Sequence, residues 1–432
     1  MNQINTPPNR SRSADNIRLF PMQMETQSLG RLQVRCTSAG LVPIANATVT
    51  ISYPGVPNSI VEQVATDASG LTETISLPAP SIDYSMKPST EQPYSLYDIR
   101  ISAPAFESAT FSNVEILPDV TAEQDAALNP LALQPALGEE LFVIPPHTLF
   151  GDYPPKIAES EIKPTGETGE IVLNRVVIPE YVIVHDGAPV SAASNYWVKF
   201  RDYIKNVASS EIYATWPEST IYANVLAILS FTLNRVYTEW YRNQGYNFTI
   251  TSSTAYDHKW MRGRNIYENI GLIVDSVFVN YLSRPNVKQP ILTQYCDGNR
   301  VQCPNWLSQW GSKYLGDQGY TAIQILRNYY GSSIYINAAP EVSGVPSSWP
   351  GYNLIIGSRG VNVSTIQEQL NRIARVYTAI PLVAVDGIYG SRTSNAVKTF
   401  QSIFGLPANG IVDFPTWFKV SDIYVGITRL AQ

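Results

Sequence analysis

The strongest chemical candidate in this 432-residue chain is Glu211, which ends the run "NVASSE" five residues ahead of the step Trp216-Pro217. A single carboxylic acid among Ile212, Tyr213, Trp216 and a long apolar helix pattern is poorly solvated, which favours its protonated form. Such an acid is a proton donor. Read in isolation, the same residue is an acid at a helix start, where the helix dipole favours it. Tyr256, Asp257 and His258 form a polar cluster that suits a cleft lining or a loop equally well. His185-Asp186 reads as a turn at a strand end, and His147 sits in a Pro-rich stretch. Cys296 and Cys303 are separated by six intervening residues; a zinc site needs further ligands, with His258 the one plausible histidine, and an inert pair is the simpler reading. No Ser-His-Asp spacing, phosphate loop or HExxH motif is present, so neither a metal nor a cofactor is expected.

The elements that hold these residues follow from periodicity. Residues 1–28 are polar and rich in Pro, Asn and Ser, and read as a disordered leader. From Leu29 short alternating runs separated by turns predict a small β-sandwich over 29–130, with "TDASG" (Thr66–Gly70) as a turn. Pro, Gly and Glu dominate 131–170, which predicts an extended, accessible connector of the kind a protease cuts, with 151–175 as the window. Strands return in "IVLNRVVIPEYVIVHDG". The pattern then predicts a helix over 195–208 and a long helix from about Pro217 to Arg242, with Glu211 in the polar run between them. Residues 339–356 read as a linker and 357–432 as a compact helical unit. The expected fold class is multidomain α+β, with an N-terminal β-sandwich, a central α+β unit over 171–338 and a C-terminal three-helix unit.

Hydrophobic residues make up 44% of the chain, enough for sizeable cores. Charged residues make up only 15%, while Tyr (26) and Pro (31) are abundant. Such a surface is polar by hydroxyls and aromatics, which suits glycan contact or a turn-rich β protein. A net charge of −6 argues against nucleic acid or an anionic membrane as partner. Three cysteines make no disulfide framework; at most one pair forms, as expected of a reducing compartment. No 18-residue apolar run is present, and the first twenty residues lack the apolar core of a secretory signal.

The C-terminal stretch "GSRGVNVSTIQEQL…VDGIYGSRTSNAVKTFQSIFGLPANGIVDFPTW" resembles the type 1 peptidoglycan-binding domain family. Asp386-Gly387 and Tyr389-Gly390 make a tight turn in it. Phe400, Leu406 and Trp417 read as core, and Tyr389 and Arg392 on the turn and its rim are the candidates for sugar contact. The blocks "YIKNVASSEIYATWPESTIYANVLAILSF" and "LSQWGSKYLGDQGYTAIQILRNYYGSSIYI", with the shorter "STAY", make residues 203–336 similar to the stage II sporulation protein D (SpoIID/LytB) family. Its members include peptidoglycan lytic transglycosylases. The resemblance implies that Glu211 is the catalytic acid and that Trp216, Tyr256, Ser308, Gln309 and Trp310 contact the glycan. Cys303 stands where the family has a His, and Leu229 near the place of a family Arg. The strands around "PIANATVTI" resemble a carboxypeptidase-regulatory, transthyretin-like sandwich.

The order of units is similar to that of germination-specific spore cortex-lytic enzymes. It implies an inactive precursor in the spore, made without a standard signal peptide. Its implied partners are cortex peptidoglycan strands and a subtilisin-like germination protease that cuts the connector. In the implied chemistry one acid serves twice, as proton donor and then as base for the muramic C6 hydroxyl, which closes a 1,6-anhydro ring. A muramidase using Glu211 with Asp257, and a non-catalytic cortex-binding scaffold, are the alternatives.

Overall fold

The computed structural model describes residues 28–38, 40–131, 139–162 and 173–429. The expected leader, apart from Ser28, and residues 163–172 of the expected cut window lie outside them.

The alternating segment up to Val143 forms β1 (Ser28–Ser38), β2 (Thr48–Tyr53), β3 (Val56–Ala65), β4 (Ile75–Ala79), the short α1 (Asp83–Met86), β5 (Ser95–Ser102), β6 (Ala109–Ile116), β7 (Thr121–Leu128) and β8 (Glu140–Val143). One sheet runs β3-β2-β5-β6-β8; in the other, β1 lies antiparallel to β4 and parallel to β7. Every second residue of a strand faces the same side. Leu32, Val34 and Cys36 of β1 therefore meet Val49, Ile51, Ile99 and Ile101 of the other sheet in one apolar core. Burial pushes the Cys36 thiol up to about 12, so it packs as a small hydrophobe. The turn at Thr66–Gly70 closes as its residue types dictate. Asp67 accepts from the Ser69 and Leu71 N–H groups at 2.8 and 3.0 Å, and Gly70 takes φ +75° so near the Cys36 carbonyl that a Cβ would lie 2.3 Å from its oxygen.

The central unit comprises β9 (Val177–Ile178), β10 (Tyr181–His185), β11 (Asn195–Lys199), α2 (Phe200–Glu211), α3 (Glu218–Tyr237), α4 (Trp240–Asn243), β12 (Ile250–Thr251), β13 (Ile266–Tyr267), α5 (Glu268–Val277), β14 (Asn280–Ser283), β15 (Tyr295–Cys296), β16 (Leu307–Ser308), α6 (Gln309–Asp317), α7 (Ala322–Tyr330), β17 (Tyr335–Ala338) and β18 (Glu341–Val342). The α3 helix is apolar almost all round and is correspondingly buried on nearly every side. Two helix boundaries differ from expectation. Residues 195–199 pair with β10 as a strand, and α2 starts at Phe200 and ends on Glu211 itself. The long helix stops at Tyr237, because Glu239 turns left-handed at φ 48° before α4. The expected linker is also built into the fold, for β18 pairs with β9 and the Ser347 carbonyl accepts from the Trp417 indole at 3.1 Å. The C-terminal unit packs α8 (Val361–Ala374), α9 (Ser391–Ile403) and α10 (Phe414–Arg429).

The units interlock. β13 pairs antiparallel with β7 and so adds a central-unit strand to an N-terminal sheet. Glu115 of β6 and Arg264, both buried, are bonded at 2.6 Å. Arg35 of β1 lies over the Phe404 ring at 5.4 Å. Asp422 of α10 bonds Lys199 at 2.7 Å and Arg201 at 3.3 Å. Burial alone would raise the Asp422 pKa, but these two cations outweigh it and hold the carboxyl at about 2. A carboxyl depressed in the folded state contributes stability above its unfolded pKa and loses it as pH falls toward the folded value. Asp422→Asn is therefore expected to lower the melting temperature at neutral pH, with the difference from wild type shrinking between about pH 4 and pH 2. A pH-independent difference in thermal scans would show that the ion pair carries none of the docking.

Candidate functional site

Glu211 is the last residue of α2, so the dipole of its own helix opposes its negative charge. That is the reverse of the helix-start position the sequence suggested. Its side chain is fully buried. Oε1 accepts from the Lys259 N–H at 2.6 Å, and Oε2 accepts from the Tyr295 hydroxyl in a short bond. Burial raises the Glu211 pKa, and this outweighs the opposing pull of Lys156, of the Tyr295 hydroxyl and of the Lys259 N–H. His258 stacks on Tyr295 with centroids 5.6 Å apart, and the Tyr203 hydroxyl lies 3.0 Å from its Nδ1. Burial holds His258 well below its ordinary pKa, so the imidazole beside the acid is neutral.

The groove expected around Glu211 is closed, and the chain segment closing it comes from the connector. Residues 144–162 form a strap across the central unit, turned at 148–150 and without helix or strand. Its side chains at His147, Thr148, Leu149, Tyr153 and Lys156 are buried, against the accessible backbone the composition implied. The Thr148 N–H and hydroxyl both donate to the Ser210 carbonyl, one residue before Glu211, at 3.2 and 2.9 Å. Lys156 donates to the Asp257 carbonyl at 2.7 Å and lies 4.2 Å from the centre of the Tyr295 ring. The Ile157 N–H donates to the Ala255 carbonyl at 2.8 Å. Arg300 reaches back to the carbonyls of Thr148 and Gly151.

An aromatic wall adjoins the acid. Trp216 and Trp310 lie 5.0 Å apart, Tyr213 is 5.8 Å from Trp216, and strap residue His147 stacks on Tyr213 at 4.5 Å. Trp216 is buried, with its indole N–H donating to the Ser85 carbonyl at 2.8 Å, so α1 covers it. Gln309 is also buried and donates to the Glu211 carbonyl at 3.0 Å; it fixes the acid's backbone rather than facing a cleft. Ser308 caps α6 by accepting from the Gly311 N–H at 2.9 Å. Tyr256 is half-buried, and its carbonyl accepts from Arg235. Trp310 remains half-exposed at the wall's edge.

Asp257 is buried and saturated: Oδ1 bonds Arg235, and Oδ2 accepts from the Tyr241 hydroxyl and from the Thr251 N–H and hydroxyl. His185 and Asp186 hold a local turn through Asn195, Ser191 and Ser252. Cys296 and Cys303 are joined in a disulfide, so neither offers a thiolate to a metal with His258, and no cluster of three metal-binding side chains occurs among the described residues. Tyr295, Lys156 and Arg235 are the members of the site that sequence reading missed. A cavity of about 260 Å³ lies elsewhere, between Leu173, Tyr181, Arg235 and Phe248, and is not lined by Glu211.

In the C-terminal unit the Gln367 side chain organises the Asp386–Ile388 turn. It accepts from the Asp386 and Gly387 N–H groups and donates to the Ile388 carbonyl at 3.1 Å. Tyr389 is no rim residue: it is fully buried, and its hydroxyl donates to the Gly410 carbonyl at 2.9 Å. The turn needs a large inward anchor opposite Gly410, and tyrosine supplies both the bulk and the donor. Arg392 is exposed at the start of α9. Tyr389→Phe is therefore expected to lower stability by about 1 kcal/mol with binding to sacculi unchanged. Arg392→Ala should do the opposite. Co-sedimentation and thermal melts separate the two, and equal losses of affinity would overturn the assignment.

Comparison with known proteins bears on one part of the chain. No curated protein matches the sequence. Among solved structures, the Bacillus anthracis TIE protein matches at 14% identity over 24% of this chain and 17% of that one, with a TM-score of 0.17. Wild-type catechol 1,2 dioxygenase of Acinetobacter radioresistens matches at 11% identity over 27% and 58%, with a TM-score of 0.18. The 3-chlorocatechol 1,2-dioxygenase of Rhodococcus opacus matches at 10% identity over 26% and 64%, with a TM-score of 0.17. The chain spans less than two thirds of each of these proteins, and at such scores no shared fold or activity is inferred. Residues 359–419 match the peptidoglycan binding domain family of type 1, which ties the chain to cell-wall peptidoglycan through its C-terminal unit.

Proposed function

We propose that the chain is the precursor of a peptidoglycan lytic transglycosylase of spore cortex, held inactive until its connector is cut. The observation that carries this reading is a lone acid, Glu211, placed where burial and its own helix dipole both favour the proton, beside an aromatic wall and on the same chain as a peptidoglycan-binding unit. Buried acids that destabilise their surroundings are uncommon outside functional sites. In the reaction, Glu211 gives its proton to the glycosidic oxygen as the bond from muramic C1 to that oxygen breaks. The muramic C6 hydroxyl then bonds to C1, and its proton returns to the Glu211 carboxylate. No water is consumed.

Asp257 separates this reading from a muramidase. A hydrolase needs its second carboxylate free to activate water or attack carbon. Both oxygens of Asp257 are engaged by Arg235, Tyr241 and Thr251. The scaffold reading leaves the acid at the end of α2 without a purpose. The deciding experiment is mass spectrometry of fragments released from spore sacculi by the full chain cut within the strap. Anhydro-muramic ends support the proposal, reducing muramic ends indicate a hydrolase, and no release from a cut, folded chain leaves only wall attachment.

A further inference from the structure

The strap ends in two carboxylates with specific partners. Glu159 holds Arg235 through both terminal nitrogens, at 2.9 and 2.7 Å. Glu161 holds Arg284 through Nε and Nη2, at 2.7 and 2.8 Å. Both are two-point guanidinium–carboxylate pairs, the geometry that recognises a planar carboxylate. The backbone around them bonds the central unit as a ligand would: Glu159 N–H to the Gln294 side chain at 2.9 Å, the Ile157 carbonyl to the same side chain at 2.7 Å, and the Glu161 carbonyl to the Leu292 N–H at 2.8 Å. Towards the other end of the strap, His147 stacks on Tyr213 as a sugar ring would stack on an aromatic face.

We infer that the strap is a surrogate ligand lying along the glycan path, and that Arg284 and Arg235, once released from Glu161 and Glu159, form a binding site for the free carboxylates of peptides carried on muramic residues. This rests on the proposed peptidoglycan reading and adds a recognition element to it. The two arginines differ in their freedom. Arg235 keeps Asp257 as a partner after release, whereas Arg284 keeps the Ser333 hydroxyl at 3.0 Å as its side-chain partner among the described residues and is partly open to solvent. Arg284 is therefore the main carboxylate receptor. Muramic residues that carry a charged peptide are recognised through it, and residues lacking the peptide are not.

The test uses the full chain with Glu211→Gln, to prevent turnover, and a sequence-specific protease site placed between the exposed Pro154 and Pro155. A disaccharide tetrapeptide with free carboxylates and its fully amidated counterpart are titrated calorimetrically into intact and cut protein. The cut protein is expected to bind the free acid at least about tenfold more tightly than the amide, worth about 1.4 kcal/mol. The intact protein is expected to bind neither. Arg284→Gln should abolish the preference while leaving binding of a peptide-free glycan tetrasaccharide unchanged. Equal affinity for acid and amide, equal affinity of intact and cut chains, or no binding even when Glu159→Gln and Glu161→Gln loosen the strap, each overturns the inference. Absence of anhydro-muramic products from the cut chain bearing Glu211 would instead sink the lyase reading, and would leave a measured carboxylate preference standing.

Discussion

Cut within the strap and carrying Glu211→Gln, the chain is expected to release glycan fragments about 10²–10⁴-fold more slowly than its Glu211 counterpart, the range that a positioned general acid contributes. The amide is nearly isosteric. Its oxygen still accepts the Lys259 N–H, and its NH₂ still meets the Tyr295 oxygen, so the fold is kept and only the transferable proton is lost. Binding to sacculi runs through the C-terminal unit and should be unchanged. Tyr295→Phe is a useful companion, because it removes a hydrogen bond to the carboxylate without removing the acid. That bond favours the ionised form, so its loss should shift the falling, high-pH limb of the rate profile upward. Turbidity clearing of sacculi suspensions measures both variants. A Glu211→Gln chain that clears them at the rate of its parent would remove this residue from the chemistry.

The same residues show what sequence can and cannot convey. Glu211 stood out through the resemblance of its block to the SpoIID/LytB pattern, because taken alone an acid in a short polar run reads as a helix-start residue favoured by the dipole. The three helices of the C-terminal unit and the strands of the N-terminal one follow from local periodicity, and the structure has them. Tyr295 and Lys156 could not be found this way. Tyr295 bonds Glu211 from 84 residues after it and Lys156 acts on its charge from 55 before it, and nothing in a local window marks a tyrosine or lysine as the neighbour of a distant acid. The misread boundary at 195–208 has a different cause. Tyr196, Val198 and Phe200 suit both periods over so short a run, and pairing with β10 decides for strand as far as Lys199. The strap misled for a third reason. Its Pro-rich composition implies a chain without helix or strand, but that does not imply exposure when a groove of matching hydrogen-bond donors and acceptors lies beneath.

The contacts between the units also bear on how the chain can be divided. A fragment beginning near residue 173 would lose β7, the neighbour of β13, and Glu115, the partner of Arg264. It would also lose α1, whose Ser85 carbonyl receives the Trp216 indole N–H. Leaving one charge of a buried pair behind costs about 3–5 kcal/mol, because Arg264 remains desolvated without its counter-ion. Two of the Arg264 nitrogens have no hydrogen-bond partner even in the intact chain, so no spare acceptor is at hand to take over. Glu115→Ala in the full chain isolates this one contact. It is expected to lower the melting temperature by about 10 °C, while Glu115→Gln, which keeps an acceptor for Arg264, lowers it by about half as much. By the same physics, cutting the strap severs the backbone without undoing the β7–β13 pairing, so the two pieces are expected to co-elute in size-exclusion chromatography. Separation of the pieces under native conditions, together with an unchanged melting temperature for Glu115→Ala, would show instead that the N-terminal sheets are a detachable cover rather than an integral part of the folded chain.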